Sequence, residues 1–273
     1  MTPSIFKGFG VGLQLYTIRD VMAADVTGSL QKVSDLGYKY LELAGYAERQ
    51  FYGYEPEEFK KVVIDLGMEI LSSHVMLPST INTNIIRKIA EDHAKLGVKY
   101  CIQPWVFEED RTTVENYKMM AATWNNAGQI MKEYGIQFGY HNHNFEFETL
   151  EGKIPYYDVL MAELDKDLVT MEIDLFWAAK AGQNPVEMFK KFPGCFRLFH
   201  MKDMMTNEAP FYNPSTNDFA PVGTGKINFE EILAARTIAG FEYMFVEQDS
   251  TLDGKPFDSI QTSISNLITR LLA

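Results

Sequence analysis

The chain has 273 residues, 46% of them hydrophobic and 23% charged, which is ample for one large domain with a dry core. Its 25 Lys and Arg against 37 Asp and Glu give a net charge of −12, which disfavours binding to a nucleic-acid backbone. No apolar run approaches the roughly 20 residues that span a bilayer, and Met1-Thr2-Pro3-Ser4 shows neither a basic nor an apolar leader, so a cytoplasmic protein without membrane contact is expected.

Short apolar runs alternate with amphipathic segments along the whole chain. Val11–Tyr16 reads as a first strand, and Leu30, Val33 and Leu36 then share a helical face that stops at Gly37. Tyr38–Leu43 is a second strand, followed by Phe59, Val62, Val63 and Leu66 on a helix that stops at Gly67. Glu69–His74 is followed by Ile85, Ile89 and Leu96 before Gly97, and Lys99–Trp105 by Met120, Trp124, Ile130 and Met131 before Gly135. The later strands are Gln137–His143, Val169–Asp174, Phe196–Met201 and, after Gly240, Tyr243–Glu247. A glycine just past a helix lets the chain turn left-handed and re-enter a sheet. Eight strands alternating with helices over 1–273 predict a single-domain (β/α)8 TIM barrel. A doubly wound open sheet is the alternative, but the Gly-rich phosphate turn usual after its first strand is absent. The long connection Asn207–Gly225, rich in Pro, Asn and Gly, is the expected excursion from the barrel, and Cys101 and Cys195 are expected as reduced thiols in the interior.

In such a barrel, reactive residues gather at the C-terminal ends of the strands. Those ends carry Gln14 and Tyr16, Glu42, His74, Gln103 and Trp105, His141 and His143 with Glu146, Asp174 and Trp177, His200 and Lys202, then Glu247 and Asp249. Four of the five histidines fall there, and only His93 lies within a helix. Asp174, His200 and Glu247 close three successive apolar strands. Buried carboxylates are costly without a compensating cation or hydrogen bonds, so the trio points to a divalent metal. The competing structural reading has Asp174 and Glu247 capping helices or pairing with Lys202. His141 and His143 share one face of their strand, one layer apart, as a metal or acid–base pair would.

The runs Leu13-Gln14-Leu15-Tyr16-Thr17, Tyr140-His141-Asn142-His143 with Glu146-Phe147, Asp174 with Trp177, His200-Met201-Lys202-Asp203 and Val222-Gly223-Thr224-Gly225 together resemble the sugar phosphate isomerase/epimerase family. This family belongs to the xylose-isomerase-like TIM barrels. The resemblance implies one divalent ion (Mn2+, Zn2+, Mg2+ or Co2+) among a glutamate on strand five, an aspartate on six, a histidine on seven and a glutamate on eight. The last three correspond to Asp174, His200 and Glu247. This chain departs from the pattern at strand five, so the fourth ligand is either His141 or a folded-back Glu146. Lys202 resembles a substrate-contacting lysine, and His143 the acid–base histidine of related dehydratases.

The expected activity is proton abstraction next to the carbonyl of a sugar or keto-sugar, through an enediolate, by Glu247 or His143 with Glu146 as a further candidate. The outcome is isomerisation or epimerisation. Elimination by a dehydratase or lyase acting on a keto-sugar or 3-keto-glycoside is the alternative. Lys202, His74, Trp105, Trp177, Tyr16 and Gln14 are the substrate-binding candidates. Glu42 is expected to bind a sugar hydroxyl or to pair with an arginine. Two readings from other classes are a metal-dependent endonuclease IV-type phosphodiesterase, which five histidines and the acidic charge equip poorly, and a non-catalytic sugar-binding barrel. Gly223-Thr224-Gly225 is read as a tight turn in preference to a phosphate site. Phe51, Tyr52, Tyr54, Phe211 and Tyr212 are expected to be exposed aromatics that close over the site or form a homodimer face.

Overall fold

Alternating strands and helices close on themselves in the computed structural model, which describes residues 10–77, 82–150, 154–205, 218–251 and 254–272. The barrel strands are β1 (Gly12–Gln14), β2 (Tyr40–Leu43), β3 (Glu69–His74), β4 (Tyr100–Gln103), β5 (Gln137–His141), β6 (Val169–Asp174), β7 (Phe196–Met201) and β8 (Tyr243–Val246). Each pairs in parallel with the next, and β8 pairs back onto β1 through Gly12↔Phe245 and Leu13↔Val246. Several strands end sooner than their apolar runs. After Gln14 the chain turns into a 3-10 segment, Leu15–Ile18, and His143 lies just past the end of β5.

All five glycines expected to end helices have positive φ, from 75° at Gly67 to 95° at Gly37. At Gly97 the left-handed turn lets its own N–H reach back to the carbonyls of His93 and Ala94, which closes the helix Thr83–Leu96. Among the described residues, no helix is long and apolar enough to cross a membrane.

The barrel floor is filled by Leu71, Tyr100, Ile102, Leu198 and Phe245, with Tyr40 and Tyr243 packed against them. Two glycines make room for these large side chains. A Cβ on Gly12 would stand 2.3 Å from the Phe245 ring, and one on Gly139 would stand 2.6 Å from Ile102 Cδ1. The apolar floor keeps water from the polar layers above it.

Three expectations outside the site are resolved. Phe51 is fully buried, against the expectation of an exposed aromatic, because it packs among Tyr46, Phe59 and His93. Tyr52 and Tyr54 are partly buried against Phe59, while Phe211 and Tyr212 lie outside the described residues. Both cysteines are free, Cys101 fully buried and Cys195 only partly so. The Gly223–Gly225 segment is indeed a turn: Asp203 accepts hydrogen bonds from the backbone N–H groups of Gly223, Gly225, Ile227 and Met204. Its carboxylate occupies the place where an anion would have to sit.

Candidate active site

Strand β6 sets the plan of the site. Glu172 and Asp174 are two residues apart, so both face the barrel axis, with Asp174 one layer higher. The flanking strands place a histidine beside each: Glu172 is level with His141 of β5, and Asp174 with His200 of β7. His141 presents Nδ1 to Glu172 Oε2 at 3.2 Å and Nε2 to Asp174 Oδ2 at 3.6 Å. His200 presents Nδ1 to Glu247 Oε2 at 2.8 Å, and Nε2 to Glu42 Oε2 at 2.5 Å and Glu172 Oε2 at 3.1 Å. His74 Nε2 joins the lower layer, 2.9 Å from Glu172 Oε2 and 3.3 Å from Glu42 Oε2. Two imidazoles thus bridge an upper and a lower carboxylate layer.

In the upper layer, His141, Asp174, His200 and Glu247 offer one donor atom each, all within 4.8 Å of one another. Ligands bound at ~2.1 Å to one divalent ion lie about 3–4 Å apart, so only a small adjustment brings the four onto a common centre. Two further observations fit a cation there. A neutral imidazole carries a single N–H, yet His200 faces carboxylates from both nitrogens, which calls for a second proton or a cation in its place. Asp174 Oδ2 is also buried and makes only ion-pair contacts, among them those to the Lys202 ammonium at 2.9 Å and to His141 Nε2 at 3.6 Å, while in the lower layer Glu42 Oε1 and Glu172 Oε1 have no hydrogen-bond partner among the described residues. Two nitrogens and two oxygens form a mixed donor set that suits a first-row divalent ion such as Zn2+, Co2+ or Mn2+. The lower group of His74, His141, Glu172 and His200 satisfies the same spacing, using the other nitrogens of the two shared imidazoles.

Lys202 is buried, with its ammonium 2.9 Å from Asp174, 2.7 Å from Glu247 and 2.8 Å from Asp249. Asp174 also caps the helix Leu175–Lys180 by accepting from Trp177 N. The helix-capping and lysine-pairing expected of these carboxylates in the structural reading are therefore present alongside the cluster. Burial works against an ionised Glu247, but Lys202 and His200 hold it well below the usual carboxylate range. Burial lifts Asp174 to about 6 although Lys202 pulls the other way. Burial and the neighbouring His200 keep His141 well below 6.5, in the neutral form that a metal ligand requires. Burial lowers His74 as well, but Glu42 and Glu172 outweigh it and raise the imidazole to about 9.

A cavity of about 650 Å³ opens above these layers, and Tyr16, His74, Trp105, His141, His143, Trp177, Lys202 and Glu247 line it. His143 stands in an aromatic frame, with its ring centroid 4.5 Å from Trp105, 5.2 Å from Trp177 and 5.6 Å from Phe145. Its Nδ1 is buried without a hydrogen-bond partner among the described residues.

Three expected residues lie elsewhere. Gln14 is fully buried below the cavity, its amide engaged by Glu42 Oε2 and Tyr16 N. Glu42 lies beside Gln14 and the histidines, not beside an arginine and not in the cavity wall. Glu146 turns away from the cluster, bonding the Tyr140 hydroxyl and accepting from His143 N at 2.9 Å, so the donor nearest the other three comes from His141. Burial lifts Glu146 to about 7 despite its bond to Tyr140.

Glu172 was missed by the sequence reading because it lies inside an apolar run. Its period-2 relation to Asp174 was the available signal.

A family model described as xylose isomerase-like TIM barrel matches residues 30–251. The chain belongs to that family. It is 31% identical to a sugar phosphate isomerase/epimerase from Parabacteroides distasonis, covering 97% of this chain and 100% of that one with a TM-score of 0.81. It is 28% identical over 150 residues to an inosose dehydratase of Clostridium botulinum, across 50% of this chain and 49% of that protein. The chain thus spans about half the length of the curated relatives it matches. An IolI protein with a bound zinc atom is 17% identical and shares the fold, with a TM-score of 0.75 over 95% of this chain and 97% of that one.

Proposed function

We propose that this barrel is a metal-dependent sugar isomerase or epimerase that removes a proton next to the carbonyl of a sugar or keto-sugar. The observation that carries the reading is the convergence of His141, Asp174, His200 and Glu247 beneath a sugar-sized cavity. These four residues would hold one divalent ion, which when bound supplies Lewis-acid stabilisation for negative charge on a substrate oxygen. The zinc atom in the IolI structure and the isomerase/epimerase name of the Parabacteroides protein support the reading.

The chain's own residues divide the remaining work. Lys202, fixed by three carboxylates, holds a positive charge at the cavity wall where a substrate oxygen can take a hydrogen bond. Trp105 and Trp177 offer apolar faces for the C–H side of a sugar ring. Burial and the nearby Lys202 keep His143 neutral at pH 7, so the imidazole at the cavity wall can accept a proton. The apolar frame around it excludes competing water.

A second reading, elimination of a β-oxygen by a dehydratase or lyase, is favoured by one feature of the site. A two-carboxylate epimerase needs a glutamate on β5, and this chain has His141 there, with His143 and not a carboxylate at the cavity wall above it. The inosose dehydratase similarity points the same way. Incubating the Mn2+-loaded protein with keto-sugars in D2O tests both readings. Deuterium at the α-carbon of recovered or isomerised sugar supports the first, and loss of water or of a leaving alcohol supports the second. Absence of any exchange with His143→Ala and wild type alike refutes proton abstraction and leaves a sugar-binding barrel.

A further inference from the structure

A second cavity of about 590 Å³ adjoins the first, and the two share Trp105, His143 and Trp177 as a common wall. Its far side is polar, lined by Glu108, Arg111, Thr112, Asn144, Glu148 and Tyr156. Arg111 is the informative residue. Its guanidinium lies 3.6 Å over the Phe145 ring and 5.9 Å from the Trp105 centroid, which fixes its plane, while its Nε is buried without a hydrogen-bond partner among the described residues. The remaining N–H donors of the same rigid fork belong to a side chain that lines the cavity. Glu108 and Glu148 share the cavity, so one cation faces two anions, and a phosphate or carboxylate would be repelled. A neutral polyol is not repelled: its hydroxyls accept from a guanidinium and donate to carboxylates, and its C–H face packs on an aromatic ring. Such donors, acceptors and aromatic surface are what a sugar ring requires.

We propose that the second cavity is a subsite for a second polyhydroxylated unit, so that the substrate is a two-unit glycoside whose linkage lies beside His143. The inference rests on the sugar reading of the first cavity and names the class of its substrate. A linkage at the shared wall also provides the leaving group that elimination requires.

Isothermal titration of the full chain with glucose and with cellobiose tests this. Cellobiose is expected to bind at least tenfold more tightly than glucose, and Arg111→Ala is expected to reduce that ratio to near one. Arg111→Lys, which keeps the charge but loses the planar fork, should recover only part of the preference. Equal affinity of wild type for the two sugars, or an unchanged ratio in Arg111→Ala, overturns the second subsite while leaving the first cavity's reading intact. Binding of neither sugar overturns both. Circular dichroism of the variants separates a lost preference from a lost fold.

Discussion

His141 touches Glu172 with one ring nitrogen and Asp174 with the other, so a single imidazole links two carboxylates of the same strand. The lower carboxylate accepts from the nitrogen that faces away from the upper cluster and thereby fixes which nitrogen faces Asp174. Glu42 does the same for His200. Ligand histidines held in this way are oriented before the ion arrives, and losing the holding group typically costs 10–100-fold in metal affinity.

Glu172→Gln is therefore expected to weaken Zn2+ or Co2+ binding by about 10–100-fold while preserving volume and fold. Competition with a chelator gives the affinity, and the Co2+ absorption bands report the altered ligand geometry. Unchanged affinity and unchanged bands would show that Glu172 has no part in positioning the imidazoles.

His93 gives the clearest pH signature of stability away from the site. It is fully buried, its Nδ1 2.7 Å from Ile89 O and its Nε2 3.1 Å from Ser73 Oγ, and burial pushes it down to about 4. The unfolded chain takes up this proton near 6.5, so between those values it binds more protons than the folded chain, and stability falls as pH drops from about 6.5 towards 4. The loss from this one group is at most about 3 kcal/mol. In urea unfolding measured from pH 7 to 4, His93→Gln should start less stable and show a shallower decline. A parallel decline in both proteins would contradict the assignment.

Gly139→Ala tests the packing of the floor. The added methyl would stand 2.6 Å from Ile102 Cδ1 and 2.9 Å from the Thr170 carbonyl oxygen, and the backbone contact cannot rotate away. Overpacking of this kind costs about 1–3 kcal/mol, read as a lower urea midpoint with an unchanged slope.

Much of this architecture was legible because repeated local chemistry encodes it. Each helix-ending glycine marked a return to the sheet, and the polar residue closing each apolar run marked the mouth of the barrel. That logic brought out Asp174, His200, Glu247 and His141. Depth was not legible. Gln14 and Glu42 close their strands in sequence but lie below the cavity, because strand stagger, which a linear pattern does not carry, sets their level. Glu146 follows β5 closely, yet its 3-10 turn aims it at Tyr140 and the His143 backbone. Phe51 lies in a stretch after β2 that reads as a loop in the sequence, and only tertiary packing against His93 and Phe59 buries it.

Metal content per chain tests the central claim most directly. Elemental analysis of the protein, reconstituted with Mn2+, Co2+ or Zn2+ and then desalted, is expected to give one ion per chain for wild type. Asp174→Ala and His200→Ala, folded by circular dichroism, are expected to hold almost none. Full retention of the ion by both variants, or a wild-type protein that retains no divalent ion, would contradict the account.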